Sequence, residues 1–197
     1  MGPASCAVAS ASRPAKDMIA TSDQILAFWR AAGPDKWFEV DDVFDGEIRA
    51  RFAPTYEAAA SGALSHWQES MDGTLALLVL LDQFPRNLFR GDARAYATDR
   101  QVRVIADRAI GRGIDREFPI AERQFFYLPF MHSEDLADQE RCIALFGSSA
   151  DAQGLRYAET HADIIHRFGR FPHRNRALGR TTTPEEQAFL DSGGFGG

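Results

Sequence analysis

The stretch DGTLALLVLLDQFPRNLFRG, residues 72–91, decides how the rest of the chain must fold. Within it, Leu75 to Leu81 reads LALLVLL, apolar on every helical face, so the segment leaves no side for water and belongs in the middle of the fold. It is too short to span a bilayer, which takes about 18 or more apolar residues. Asp82 and Gln83 close the run, Pro85 is expected to stop it, and Arg86, Asn87 and Arg90 follow. A carboxylate near a helix C-terminus meets the dipole with the wrong sign, so Asp82 is expected to have a cationic or hydrogen-bonding partner. Function is expected near that end of the helix.

Helical signals surround this run on both sides. Thr21-Ser22-Asp23 supplies an N-cap for a helix that ends at Gly33-Pro34. From Asp41 to Ala60, the residues Phe44, Ile48, Phe52 and Tyr56 recur every four positions along one stripe. From Thr98 to Gly111 the inner stripe is Val102, Ile105, Ala106, Ala109 and Ile110, with Asp99, Arg103 and Asp107 alternating in sign on the outside. Pro119 opens a helix that Pro129 is expected to close, and Ser133 caps another with Glu134 and Asp135 in its first turn. Leu155, Ala158, Ala162, Ile165 and Phe168 mark one more, broken by Gly169; Thr183-Pro184-Glu185-Glu186 is a capping box for a short last helix.

No segment alternates as a strand does, so the predicted class is all-α, a stack of antiparallel helix pairs around the buried central helix. Residues 21–191 form one helical domain, between a flexible N-terminal tail, 1–20, and a flexible Gly-rich tail, 192–197. The net charge of −6 argues against a nucleic-acid or anionic-membrane partner. Cys6 and Cys142 are the two cysteines and form no CxxC spacing, which fits a reducing cytoplasm and supports neither a disulfide framework nor a cysteine zinc site.

LLDQFPRNLFRG, YLPFMHSEDLADQE and RFGRFPHRNRALGR followed by TPEE closely resemble the bacterial family called domain of unknown function 924, from about Ile25 to the C-terminal Gly-Phe-Gly. The resemblance implies a helical fold similar to the right-handed tetratricopeptide-like superhelices and carries no established activity.

Signatures for the hydrolase elbow, the phosphate loop, the dinucleotide fingerprint and the HExxH zinc site are absent. The sequence offers instead three polar groups at helix ends. Asp82, Arg86 and Asn87 follow the central helix; His132, Glu134 and Asp135 open a later one; His161, Arg167, Arg170, His173, Arg174 and Asn175 surround the last long one. Phe84-Pro85-Arg86-Asn87 is echoed by Phe171-Pro172-His173-Arg174-Asn175. Arg86, Asn87, Arg170, His173, Arg174 and Asn175 are candidates to hold a small anionic ligand, since guanidinium and amide groups match carboxylate or phosphate. The same groups also read as a buried structural ion-pair network around Asp82.

The expected function is a binding or interaction module for a small anion or a protein or peptide partner. The alternative is an enzyme using His132 or His161 as acid/base, with Glu134 or Asp82 as orienter. No metal or cofactor is expected. His161 and His166 are five apart and face different ways on a helix, unlike an i, i+4 metal pair.

Overall fold

The computed structural model describes residues 19–194. Among these, ten α-helices follow one another with no strand: α1 (Ser22–Ala32), α2 (Pro34–Trp37), α3 (Asp42–Ala60), α4 (Met71–Leu78), α5 (Phe84–Leu88), α6 (Asp99–Gly111), α7 (Ile120–Met131), α8 (Leu136–Ser148), α9 (Ala152–Phe168) and α10 (Pro184–Asp191). The all-helical expectation holds. Most of the two expected tails lies outside the described residues. Their described parts are tied down: the Ala20 N–H donates to Thr55 Oγ1 at 2.8 Å, and Gly194 N–H to the Phe189 carbonyl at 3.0 Å.

α4 and α5 form one rod. Leu78, Val79, Leu80 and Leu81 have no accessible surface, as a segment apolar on all faces requires. α1, α6 and α7 pack on α4, and α3 packs on α5, while α8 and α9 pair with each other and attach through α7. Each Leu removed from water contributes on the order of 2 kcal/mol.

The rod does not stop at Pro85, and the reason is local. Between α4 and α5 the residues Val79–Gln83 form a π-turn, and the Phe84 N–H bonds the Val79 carbonyl five residues back. A proline inside an α-helix collides with the carbonyl four residues earlier, here that of Leu81. The wider turn releases this carbonyl, which accepts from the Thr98 hydroxyl at 2.6 Å instead. The helix therefore runs on to Leu88, and Asp82 lies inside it rather than at its exit. Such π-turns occur disproportionately at functional sites.

Three other expectations change. Pro129 does not close its helix: α7 reaches Met131 with the proline in its last turn, where little of the ladder is left to break. Ser133 is not the cap of α8. Asp135 is, its carboxylate accepting from Ala137 N–H at 2.9 Å, so Glu134 lies before the helix and is free to point elsewhere. Asp99 is not a solvated charge. It opens α6 with its side chain only 13% exposed and takes part in the polar cluster described next.

The C-terminal segment is held by a separate apolar cluster of Ile164, Ile165 and Phe171, with Phe168 and Phe189 packed beside it. Glu186 completes the predicted capping box with Thr183 and also receives Arg170. These contacts fix the turn Pro172–Arg174 against α9 and so aim its arginine inward.

Candidate functional site

The carboxylate of Asp82 is 1% exposed and carries three partners. His132 Nδ1 lies 2.9 Å from Oδ1, Arg86 Nη1 3.1 Å from the same oxygen, and Gln83 Nε2 donates to Oδ2 at 2.5 Å. Arg86 Nη1 also donates to the Asp82 carbonyl. Burial alone would raise this acid; the imidazole and the Arg86 charge outweigh it and hold Asp82 down at about 2. His132 moves down as well, through burial first and then Arg86. At neutral pH the pair is therefore carboxylate and neutral imidazole. Since the carboxylate can only accept, Nδ1 carries the proton, leaving Nε2 with a lone pair and no hydrogen bond to a described residue.

Asp99 extends the cluster. Its Oδ1 accepts from Arg86 Nη2 at 3.1 Å, and its Oδ2 stands 3.5 Å from Arg174 Nη1. Arg86 is thus flanked by two carboxylates, which outweigh its burial and push its pKa up. Arg174 is treated differently. Its side chain is 7% exposed, makes one marginal ion contact and leaves a buried Nε with no hydrogen bond. Burial and the neighbouring Arg86 pull it down to about 10. The guanidinium is sandwiched instead by aromatic faces, 4.6 Å from the Tyr96 centroid and 4.5 Å from that of Phe171.

Two further histidines, His161 and His173, pack against Phe171. His161 Nδ1 is 2.7 Å from the Tyr157 carbonyl, and its ring packs edge-on to Phe171. His173 lies with its ring 5.6 Å from Phe171 on a tilted face. Burial, and then the Arg174 charge, bring His173 down to about 3; burial, against the Tyr157 bond, brings His161 to about 4. Glu134 closes this side. It takes a two-pronged contact from Arg180 at 2.8 and 2.7 Å and the Phe171 N–H at 2.9 Å, and these outweigh burial to lower its pKa.

The π-turn of the rod, the end of α7 and the turn after α9 therefore bring together Asp82, Arg86, His132 and Arg174, with Glu134, His161 and His173 beside Phe171. Three predicted residues go elsewhere. Arg170 does not reach Asp82: it forks onto Glu186 at 2.6 and 2.9 Å. Asn175 is fully buried and donates to the same Glu186 at 3.2 Å. Asn87 turns to the opposite side, donating to the buried Asp45 at 2.8 Å, where Arg90 also forks. Arg174 is not a partner of Asp82 either, since Asp99 intervenes. His66 and His166 are exposed.

Sequence reading missed Asp99, Tyr96, Arg180 and Asp45. One signal would have pointed to Asp99: two guanidinium groups entering a core on Phe-Pro motifs need two carboxylates, and Asp82 is only one. Among the described residues no group of three or more His, Cys, Asp or Glu is arranged to hold a metal ion, and no helix is long and apolar enough to cross a membrane.

The sequence matches the model of a bacterial protein family of unknown function, DUF924, over residues 25–194. A solved structure of a protein of unknown function from Agrobacterium tumefaciens is 50% identical, covers 87% of this chain and 97% of its own, and superposes with a TM-score of 0.84. No curated protein matches the chain.

Proposed function

The chain belongs to the DUF924 family of bacterial proteins of unknown function, and from that premise we propose that it binds a small anionic ligand, a carboxylate or phosphate, at Arg174. The observation that carries this reading is the state of that arginine. It is nearly buried, yet one 3.5 Å contact to a carboxylate shared with Arg86 is all the counter-charge it receives directly. Leaving a charged donor buried and unpaired costs several kcal/mol, roughly 3 to 5, and an anion arriving there recovers part of it. The neighbouring side chains of Arg86, His132 and Asp99 keep 20%, 16% and 13% of their surface, and Arg174 itself keeps 7%.

A thermal-shift screen with phosphate, acetate, succinate and phenyl phosphate tests it. At least one anion is expected to raise the midpoint of the wild type and to leave Arg174→Gln unmoved. Anions that stabilise both proteins equally, or neither, refute the reading.

A second reading rests on a different observation, the Asp82–His132 pair. A neutral imidazole oriented by a buried carboxylate, with Nε2 left unbonded, has the form of a general base. On this reading His132 accepts a proton from the bound ligand or from a water beside it. Turnover of a small ester or phosphoester that survives His132→Gln would exclude this.

A further inference from the structure

A second polar cleft lies on the opposite side of α5, between α3 and the segment 88–94. It encloses about 510 Å³, within the range of roughly 300 to 1,000 Å³ that small-molecule sites occupy. Its floor is formed by the buried Asp45, Asn87 and Leu88, and exposed charged residues form its rim. Asp45, with its side chain 7% exposed, accepts from Asn87 and from both prongs of Arg90, so these three residues are spent on one another. Arg49 donates to the Leu88 carbonyl at 3.0 Å, which holds its guanidinium in place, and it takes part in no ion pair among the described residues.

The other charges lining the cleft are uncommitted or weakly committed. Asp42 stands in the first turn of α3 with no ion pair among the described residues. Asp92 caps the Arg94 N–H at 2.8 Å and forms no ion pair among the described residues. Arg94 lies 3.8 Å above the Phe89 ring, and its pair with Glu57 joins two side chains more than half exposed. So exposed a pair is weak and exchanges readily.

Once the Asp45 group is set aside, the cleft presents two guanidinium groups, Arg49 and Arg94, and two carboxylates, Asp42 and Asp92, around the apolar Leu88 and Phe89. A simple anion would meet the two carboxylates, and a simple cation the two arginines. A molecule that carries both signs satisfies each. We infer that the cleft binds a small zwitterion of the amino-acid or dipeptide class. Its carboxylate lies on Arg49, its ammonium on Asp42 or Asp92, and its uncharged part on Phe89. The hydrogen bond from Arg49 to the Leu88 carbonyl restrains its guanidinium and so lowers the ordering cost of receiving a carboxylate. This inference does not rest on Arg174, and its test separates the two sites.

Isothermal titration of the full chain with L-alanine and glycylglycine provides that test, with acetate, methylammonium and phosphate as single-sign controls. Saturable binding of a zwitterion is expected, at least tenfold stronger than of any control. Arg49→Gln and Asp42→Asn,Asp92→Asn should each weaken it at least tenfold, and Arg174→Gln should leave it unchanged. Should Arg49→Gln fail to fold, Arg94→Gln, at an exposed position, is expected to weaken it several-fold. No zwitterion binding, a control that binds equally well, binding that survives the Arg49 or Arg94 change, or binding that Arg174→Gln abolishes overturns the inference.

Discussion

Arg174 Nη1 stands 3.5 Å from Asp99 Oδ2, a contact between an arginine carried by the turn after α9 and a carboxylate from the first turn of α6. The same carboxylate holds Arg86 through its other oxygen. One aspartate therefore ties two arginines from distant parts of the sequence. It also limits how well either can be neutralised, and Arg174, the farther one, is left with the weaker share.

Removing Asp99 should be costly. Asp99→Asn leaves Arg86 with Asp82 alone and Arg174 with no direct carboxylate. A loss of about 3 kcal/mol is expected, below the upper end for a fully buried pair because the Asp99 side chain keeps 13% of its surface. Urea denaturation measures it, and a change below about 1 kcal/mol would mean the contact is ornamental.

Asp82 shares the most acidic limb of the stability curve with Glu186, which Arg170 likewise holds down at about 2. For Asp82, the folded pKa of about 2 lies below an unfolded value of about 3.9, so its contribution is complete above pH 4 and is lost as pH falls toward 2. That contribution is on the order of 2 kcal/mol. In Asp82→Asn the protein should be less stable at pH 7, and its decline through that window should be shallower, what remains coming from Glu186 and the buried histidines. Denaturation midpoints measured at pH 5, 4, 3 and 2 report both effects.

His161 and His173 act at milder acidity. With folded values of about 4 and 3 against about 6.5 unfolded, both are neutral in the native protein. As pH drops below 6.5 the unfolded chain gains protons first, so stability declines until the folded groups protonate near 4 and 3. In a heteronuclear NMR titration His161 should remain neutral at pH 5. Titration of His161 near 6.5 would contradict its packing against Phe171.

Gly73 supplies a check on the central rod. A Cβ at this position would lie 2.3 Å from the Trp67 carbonyl oxygen and 2.7 Å from Ser70 Oγ, the atom that caps α4. Alanine is the better helix former by about 1 kcal/mol, yet Gly73→Ala should destabilise by about 1 to 3 kcal/mol, because backbone must shift. Thermal denaturation decides the sign.

The fold was legible because its signals are local. The apolar run Leu75–Leu81, the stripe Phe44–Ile48–Phe52–Tyr56, the N-cap at Thr21 and the capping box at Thr183 each act within one or two turns, and each is found where the pattern puts it. Pro85 was misread because its tolerance depends on Thr98, which takes the carbonyl the proline would strike; that partner is 17 residues from Leu81. The site was legible only in part for the same reason. His132, Asp82 and Arg86 stand out by residue type, whereas Asp99 carries an ordinary helix-surface pattern and gains its role from two arginines 13 and 75 positions away. Glu134 was taken for a first-turn acid, but Asp135 caps α8 and leaves Glu134 to Arg180.

The central claim, that Arg174 is a buried cation awaiting an anion, is tested most directly by isothermal titration of inorganic phosphate and succinate into wild type, Arg174→Gln and Asp99→Asn. The account predicts that the two variants move apart. Arg174→Gln should weaken binding of the responding anion at least tenfold, and Asp99→Asn, by removing the competing carboxylate, should tighten it. Equal binding by wild type and Arg174→Gln, or weakening by Asp99→Asn in a variant that remains folded, would contradict it.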